Sequence, residues 1–209
     1  MSTTLESIAH AAPDRQPAWG IALLFPDQGT WSEREYLDLP GNHLIEFNEG
    51  HLEVLPMPPP YHQMIAFNLH RTLHDFVKTR QLGAVFSAPL PVRVGPGKYR
   101  EPDVVFVSTE HLPTDLRLVK QLDHADLVIE VVSEGTENRA RDFVEKRTTY
   151  AQAGITEYWI VDPNSGEVTV LVLKNTQYET AAVYHSNETI RSVLFPDFDM
   201  AVDSVFAVE

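Results

Sequence analysis

The sequence predicts an α/β fold in which helices pack on a mixed β-sheet. Short runs of Val, Ile, Leu and Phe alternate along the chain with two segments of helical character, at about 61–80 and 138–153. Hydrophobic residues make up 43% of the 209 residues, which is enough to build a core. Strand runs interleaved with helices are typical of helix layers covering a sheet. We expect residues 1–18 to form a flexible tail and residues 19–209 to form a single domain.

The first elements are identified by their capping and turn residues. Ser32 and Glu35 have the spacing of a capping box, which predicts a short helix over residues 31–39. Residues 44–55 then predict a β-hairpin, because two alternating runs flank a turn at 48–50 that ends in glycine.

The next segment contains the longest predicted helix, over about 61–80. Its apolar residues recur at helical spacing, as in Ile65, Leu69 and Leu73. Apolar runs over 85–94 and 100–107 then predict two strands, separated by a Gly-Pro-Gly turn at 95–97.

The rest of the chain alternates between buried strands and a helix. Residues 109–125 are polar and irregular, with one short helix as an option. Gly154 ends the second long helix. The strands predicted in this half are 127–132, 157–161, 168–173 and a closing pair after residue 178, followed by a terminal helix or strand.

Charge and composition limit the possible functions. The net charge is −14, which is unfavourable for nucleic-acid binding and restricts any basic surface to a local one. The best candidate surface contains Arg139, Arg141, Lys146 and Arg147, although a solvated helix face is the alternative. The chain has no cysteine, which favours a cytoplasmic location. Neither a secretory signal nor an apolar run of membrane-spanning length is present, so we expect no membrane association.

Two acidic residues occur where apolar strands are predicted. Asp103 follows Pro102 at the start of one strand, and Glu130 lies inside the run 127–132. A carboxylate in such a run is costly unless it is paired, protonated or bound to a metal. Two of them on neighbouring strands can share one Mg²⁺, which prefers oxygen ligands and retains water. The alternatives are an ion pair for Glu130 and an ordinary Pro-Asp turn for Asp103.

These residues belong to a longer series that resembles the PD-(D/E)XK nuclease superfamily, and within it the restriction endonuclease family of the Uma type. The resemblance covers roughly residues 30–206. It rests on the hairpin with Glu46 and Gly50, His62 at the start of the long helix, the Arg-Glu-Pro-Asp-Val-Val run at 100–105, the Glu-Val-Val-Ser run at 130–133, Asp142, Lys146, Tyr150, Gly154 and the Glu-Tyr-Trp-Ile-Val-Asp-Pro block at 157–163.

The resemblance implies a restriction-endonuclease-like fold and a Mg²⁺- or Mn²⁺-dependent DNA endonuclease, acting as a homodimer. It implies that Asp103 and Glu130 bind the metal with help from Glu46. The superfamily places its catalytic lysine two residues after the second acidic residue, but this chain has Val132 there. Lys146 on the following helix is the candidate replacement. The accessory candidates are His62, Asp142, Tyr150 and Glu101.

Each of these residues also has a structural explanation. Lys146 with Asp142 and Tyr150 fits an ordinary helix pair beside a core tyrosine, because the three are spaced by four residues. Glu46 fits a hairpin surface, Glu101 a solvated strand end, and His62 the first turn of a helix. Two functional alternatives therefore stay open. One is a non-catalytic domain that binds nucleic acid or protein on a nuclease scaffold, and the other is a nuclease acting on RNA or branched structures.

Overall fold

The computed structural model describes residues 26–39, 44–133 and 141–208, with backbone only at 141 and 142. The predicted tail at 1–18 lies outside this range. The helices are α1 (Glu33–Leu37), α2 (Pro60–Arg80), α3 (Arg147–Gln152) and α4 (Val202–Val205), and a π-helical turn, Arg141–Lys146, leads directly into α3. The strands are β1 (Ile45–Asn48), β2 (His51–Val54), β3 (Gly83–Ser87), β4 (Val92–Gly95), β5 (Lys98–Arg100), β6 (Val104–Ser108), β7 (Leu127–Val131), β8 (Glu157–Asp162), β9 (Glu167–Lys174), β10 (Gln177–Tyr184), β11 (Thr189–Arg191) and β12 (Asp199–Ala201).

The predicted mixed α/β fold is confirmed. A six-stranded sheet has the order β10-β9-β8-β7-β6-β3, and a four-stranded sheet has the order β2-β1-β5-β4. β11 and β12 form a separate pair. Within the six-stranded sheet, β7 and β8 are parallel while the other neighbours are antiparallel. A parallel pair requires a crossover connection, and here the π-helical turn and α3 lie in that connection.

Two apolar clusters lie on opposite faces of the six-stranded sheet. On one face, α2 and the C-terminal elements pack against alternate residues of β7 and β8, including Ile129 and Trp159. On the other face, α3 and β4 pack against the intervening residues, including Val128 and Ile160. This alternation is the period-2 pattern of a strand buried on both sides. It means that Glu130, which shares a face with Val128, points toward α3.

Several predicted elements match the structure closely. The capping box is present, with the Ser32 side chain accepting from the Glu35 backbone and the Glu35 carboxylate accepting from the Ser32 backbone. The hairpin of β1 and β2 and the long helix α2 also lie where they were predicted.

The two strands predicted over 85–94 and 100–107 are wrong as single elements. Each divides into two strands that belong to different sheets, β3 and β4 in one case and β5 and β6 in the other. Prolines lie at both divisions, at 89 and 91 and at 102. Proline has no N–H to donate to a ladder, so the chain leaves one sheet and enters the other at these points. The residues around Pro102 therefore lie between the two sheets.

Two further predictions differ from the structure. The optional helix within 109–125 does not form, and the segment follows turns with one bridge between Val92 and Leu122. The helix predicted over 138–153 is a π-helical turn followed by a short α-helix, and residues 138–140 lie outside the described range.

Glu157 is a fully buried carboxylate that joins β8 to the C-terminal segment. It accepts hydrogen bonds from the Trp159 indole N–H, the Ser192 hydroxyl at 3.1 Å and the Leu194 backbone N–H at 2.6 Å. Burial raises the pKa of this carboxyl above its usual value despite the three donors. Its part in the Glu-Tyr-Trp-Ile-Val-Asp-Pro block is thus explained by folding.

Glu157→Ala is expected to lower the free energy of unfolding by about 3 kcal/mol or more, because each buried donor left unsatisfied costs about 1–3 kcal/mol. Urea denaturation followed by far-UV circular dichroism measures this change. The matched control is Glu179→Ala at an exposed position of β10, where a change within about 0.5 kcal/mol is expected. Similar losses in the two variants would contradict the assignment.

Candidate active site

The candidate site forms where the two sheets and the crossover meet. Asp103 lies directly before β6, and Glu130 lies near the end of the neighbouring strand β7. The crossover brings Lys146 back over the face of β7 on which Glu130 lies. The local sequence thus supplies two carboxylates from strands and a cation from a helical turn.

Asp103 is held in place from two sides. Its Oδ2 accepts a hydrogen bond from the Val131 backbone N–H at 2.8 Å and lies 3.4 Å from Nε2 of His62. The same Nε2 is 3.0 Å from the Val131 carbonyl oxygen, to which it donates. Burial alone would lower the pKa of His62, but the Asp103 carboxylate and the Val131 carbonyl raise it above its ordinary value. The histidine at the start of α2 therefore fixes the orientation of Asp103.

Glu130 forms a buried network with the crossover. Its Oε2 lies 2.8 Å from Nζ of Lys146, and both side chains are only 4% exposed. The hydroxyl of Tyr150, one turn further along, donates to Oε1. Burial, followed by the charge of Glu130, raises the pKa of Tyr150 well above its ordinary value, so the hydroxyl keeps its proton. The crossover thus holds both carboxylate oxygens of Glu130.

Glu46 is a further buried carboxylate near the site, and it is paired with Arg100. Glu46 on β1 binds the Arg100 guanidinium, and its Oε1 is 3.4 Å from the Glu101 backbone N–H. Arg100 also binds Glu145 of the π-helical turn. The Arg100 side chain is only 7% exposed. Its ion pair with Glu145 joins the four-stranded sheet to the π-helical turn that contains Lys146.

Glu101 is a buried acidic side chain with one unsatisfied oxygen. It is 6% exposed, and its Oε2 is buried without a hydrogen-bond partner. Burial, together with the charge of Glu46, raises the pKa of Glu101 to about 8. A buried oxygen that lacks a donor is a natural position for a cation.

The pKa of Glu101 predicts a specific pH dependence in the metal-free protein. A carboxyl whose pKa rises from 4.5 to about 8 on folding holds a proton that the unfolded chain has released. The stability that this proton provides is complete below pH 4.5 and is lost as the pH rises toward 8. In EDTA, the wild type is therefore expected to lose stability between pH 5 and 8 relative to Glu101→Gln.

Urea denaturation across this pH range measures the difference between the two proteins. Glu110→Gln, at an exposed position, is the matched control and should follow the wild type. Parallel pH profiles for wild type and Glu101→Gln would contradict the buried, protonated state of Glu101.

A small cavity of about 40 Å³ collects most of these groups. By this measure a water needs about 10–15 Å³, so the space suits a cation with a few waters. The polar residues that line it are His62, Glu101, Asp103, Glu130, Ser133 and Lys146. A larger cleft of about 800 Å³ opens beside it, shares Asp103, and is lined mainly by apolar residues that include Met57 and Phe67.

The sequence-predicted residues occupy distinct positions in this arrangement. Asp103, Glu130, Lys146, His62 and Glu101 line the cavity. Tyr150 contacts Glu130, and Glu46 contacts Arg100 and the Glu101 backbone, but neither is among the residues that line the cavity. The side chain of Asp142 lies outside the described residues.

Two expectations about basic residues change. The sequence predicted Lys146 and Arg147 in an exposed basic surface. In the structure Lys146 is buried and Arg147 donates to the Tyr178 carbonyl, so neither forms part of such a surface. The side chains of Arg139 and Arg141, which complete that surface, lie outside the described residues. Arg100 was overlooked as part of the site, because a basic residue beside a strand resembles a solvated strand end in sequence.

The comparisons with known proteins agree with this architecture. Residues 33–203 match Uma2, a family described as "Putative restriction endonuclease". The structure is similar to a crystal structure of a "putative nuclease belonging to DUF820" from Anabaena variabilis ATCC 29413, with a TM-score of 0.66 and 20% sequence identity. The alignment covers 83% of this chain and 96% of that chain. No curated protein matches the sequence.

The fold and the site define a chain of nuclease-like architecture. Because the match spans most of its length, the chain belongs to the Uma2 family. Family and fold together support a nuclease. Within the described part of the chain, no helix is long and apolar enough to cross a membrane.

Proposed function

We propose that this protein is a Mg²⁺- or Mn²⁺-dependent endonuclease that hydrolyses phosphodiester bonds in DNA. The observation that carries the proposal is the shared cavity of Asp103, Glu130 and Lys146, two carboxylates and one ammonium at the junction of two sheets. The same cavity contains the unsatisfied Glu101 oxygen. Carboxylate oxygens in a space that admits a few waters suit a hard divalent cation.

The residues that would hold the metal are Asp103 and Glu130, with Glu101 beside them and Glu46 assisting. When bound, the cation would polarise the scissile phosphate and supply an activated water. Asp103 is prepared for this role because Val131 and His62 fix its carboxylate. Arg100 compensates the charge of Glu46, which limits repulsion among the four acidic groups.

Lys146 is assigned the role of the superfamily lysine. Its ammonium is held by Glu130 and faces the cavity, where it would stabilise charge developing on the phosphate or orient the attacking water. Tyr150 fixes Glu130 from the opposite oxygen, so the ammonium has a defined position. The site therefore has a lysine ammonium even though position 132 is valine.

The test of the proposal is cleavage of supercoiled plasmid. At low salt and with Mg²⁺ or Mn²⁺, the wild type is expected to convert it to the nicked form, and EDTA should stop the reaction. DNA affinity should depend on the divalent cation, because an acidic chain has few groups of its own to neutralise phosphates. If protein with metal bound at this site neither binds nor cuts plasmid, single-stranded DNA or RNA, the nuclease assignment fails and a binding role on the scaffold replaces it.

The apolar cleft beside Asp103 favours a second candidate, a nuclease acting on single-stranded, branched or RNA substrates. Unstacked bases gain about 1–3 kcal/mol each from stacking on aromatic side chains. Phe67 is 56% exposed and lies in this cleft. Faster cleavage of flap or single-stranded substrates than of duplex, together with its loss in Phe67→Ala, would select this candidate.

Metal binding has its own expected result. Mn²⁺ should raise the melting temperature of the wild type, since a ligand of the native state alone stabilises by about 2.7 kcal/mol at 100 times its dissociation constant. The double variant Asp103→Asn/Glu130→Gln should show no shift from this site. Equal shifts in the two proteins, measured by differential scanning fluorimetry, would contradict the assignment of these ligands.

Homodimer formation, proposed because cutting two strands calls for two sites, is measured by light scattering.

A further inference from the structure

A second group of metal-ligating side chains lies away from the candidate active site. It comprises His111, His124 and Asp126, and one ligand atom from each residue lies within 4.8 Å of the others. Among the described residues, no other group of three or more histidine and acidic side chains has its ligand atoms this close together. We propose that these residues form a binding site for a zinc-class divalent transition metal.

The geometry converges on one carboxylate. Nδ1 of His111 lies 2.9 Å from Oδ1 of Asp126, and Nε2 of His124 lies 3.4 Å from the same oxygen. The two imidazole rings have their centroids 3.7 Å apart at an angle of 46°. Two imidazole nitrogens and a carboxylate oxygen are the three-ligand set that zinc takes when a fourth position is left to water. Mg²⁺ prefers oxygen ligands, so this set is directed at a different metal from the active site.

Asp126 is fixed before any metal arrives. Its Oδ2 accepts from the Ser108 backbone N–H at 2.7 Å. Its own backbone bonds to Phe106 on one side and to Glu157 on the other. These hydrogen bonds hold the carboxylate in position, as metal ligands in proteins generally are held.

The two histidines remain accessible to an incoming ion. The side chain of His111 is 38% exposed and that of His124 is 34% exposed, whereas that of Asp126 is 12% exposed. This arrangement leaves room for water on the solvent side of the metal. The site and the active site lie at opposite ends of β7. Asp126 and Glu130 are four positions apart, which corresponds to about 13 Å along a strand.

The position of the ligands indicates what the metal would do. His111 and His124 lie near the two ends of the 109–125 segment, which contains neither helix nor strand. Asp126 directly precedes β7. A metal bound by all three would close this loop and attach it to the start of β7, an interior strand of the six-stranded sheet, which would restrict its local opening.

The test uses the Asp103→Asn/Glu130→Gln background, which lacks the two carboxylates proposed to bind metal in the candidate active site. After EDTA treatment and dialysis, isothermal titration calorimetry with Zn²⁺ is expected to give one equivalent bound. Adding His111→Ala or His124→Ala should weaken binding by at least about 10-fold, since even changes outside the ligand set cost 10–100-fold. Adding His185→Ala should leave binding unchanged, because His185 is an exposed histidine outside this group of three ligands.

A second measurement keeps the inference testable if a variant folds poorly. Arg117 and Lys120 lie in the loop with side chains 87% and 60% exposed, so trypsin can report on its opening. Zn²⁺ should slow cleavage after these residues in the folded background protein and should not do so in His111→Gln, which keeps a polar side chain. Absence of Zn²⁺ binding in the background protein, or binding and protection that survive the histidine substitutions, would overturn the site.

Discussion

Glu130→Gln is expected to eliminate metal-dependent nicking of supercoiled plasmid. The substitution removes a proposed metal ligand and the carboxylate that holds Lys146, so the fall should exceed the 10²–10³-fold typical of losing one electrostatic contact. The measurement is the initial rate of conversion to nicked circles at saturating Mn²⁺, followed on agarose gels. Glu110→Gln, an exposed change of the same chemistry, is the matched control and should cut at the wild-type rate.

Stability must be separated from catalysis in this variant. Glu130→Gln leaves the Lys146 ammonium buried without its carboxylate, and breaking a buried pair in this way costs about 3–5 kcal/mol. Replacing both partners, in Glu130→Gln/Lys146→Met, should recover much of that stability, because an apolar side chain tolerates burial. Nicking should stay absent in the double variant. Recovery of nicking along with stability would show that Glu130 serves folding alone.

Lys146→Met should lower the nicking rate by about 10²–10³-fold while Mn²⁺ binding persists. The ligands remain, but the ammonium that stabilises the transition state is lost. Calorimetry with Mn²⁺ and the nicking assay, on the same preparation, separate the two effects. Lys146→Arg should restore little activity, because a planar guanidinium does not replace a compact ammonium. A wild-type rate in Lys146→Met would return the residue to a structural role.

A relocation experiment tests the role of Lys146 more directly. Val132 shares a strand face with Glu130 and is 3% exposed beside the same network. Val132→Lys in the Lys146→Met background places a lysine where the wider superfamily has it. Partial return of nicking is expected in this variant. Val132→Met in the same background is the control for repacking and should remain inactive.

The sequence predicted the parts of this fold that depend on local periodicity. The helix α2, the hairpin of β1 and β2 and the buried strands β7 and β8 all follow from spacing within about 20 residues. Asp103 and Glu130 were identified because a charge in an apolar run requires a partner. Their meeting at one cavity with Lys146 agrees with the family resemblance, although their catalytic roles remain proposals.

The features that the sequence did not predict depend on contacts between distant segments. The apolar runs around Pro89 and Pro102 looked continuous, since nothing local indicates that each half pairs in a different sheet. Arg100 was overlooked because its partners, Glu46 and Glu145, lie more than 40 residues away in either direction. His111 and His124 are separated by 13 positions without regular structure, so neither helical nor strand spacing could associate them.

The parallel pairing of β7 and β8 has a consequence for recognising relatives of this protein. Parallel neighbours oblige the intervening chain to pass over the sheet, and that passage returns a helical turn to the same face as the strand carboxylate. A lysine from the crossover can therefore reach the strand carboxylate, as Lys146 reaches Glu130. A search that demands a lysine at a fixed interval after the acidic residue would classify this chain as inactive. If Lys146 has the role proposed for it, a comparison of the side-chain nitrogen relative to the two carboxylates would be the criterion that recognises such relatives.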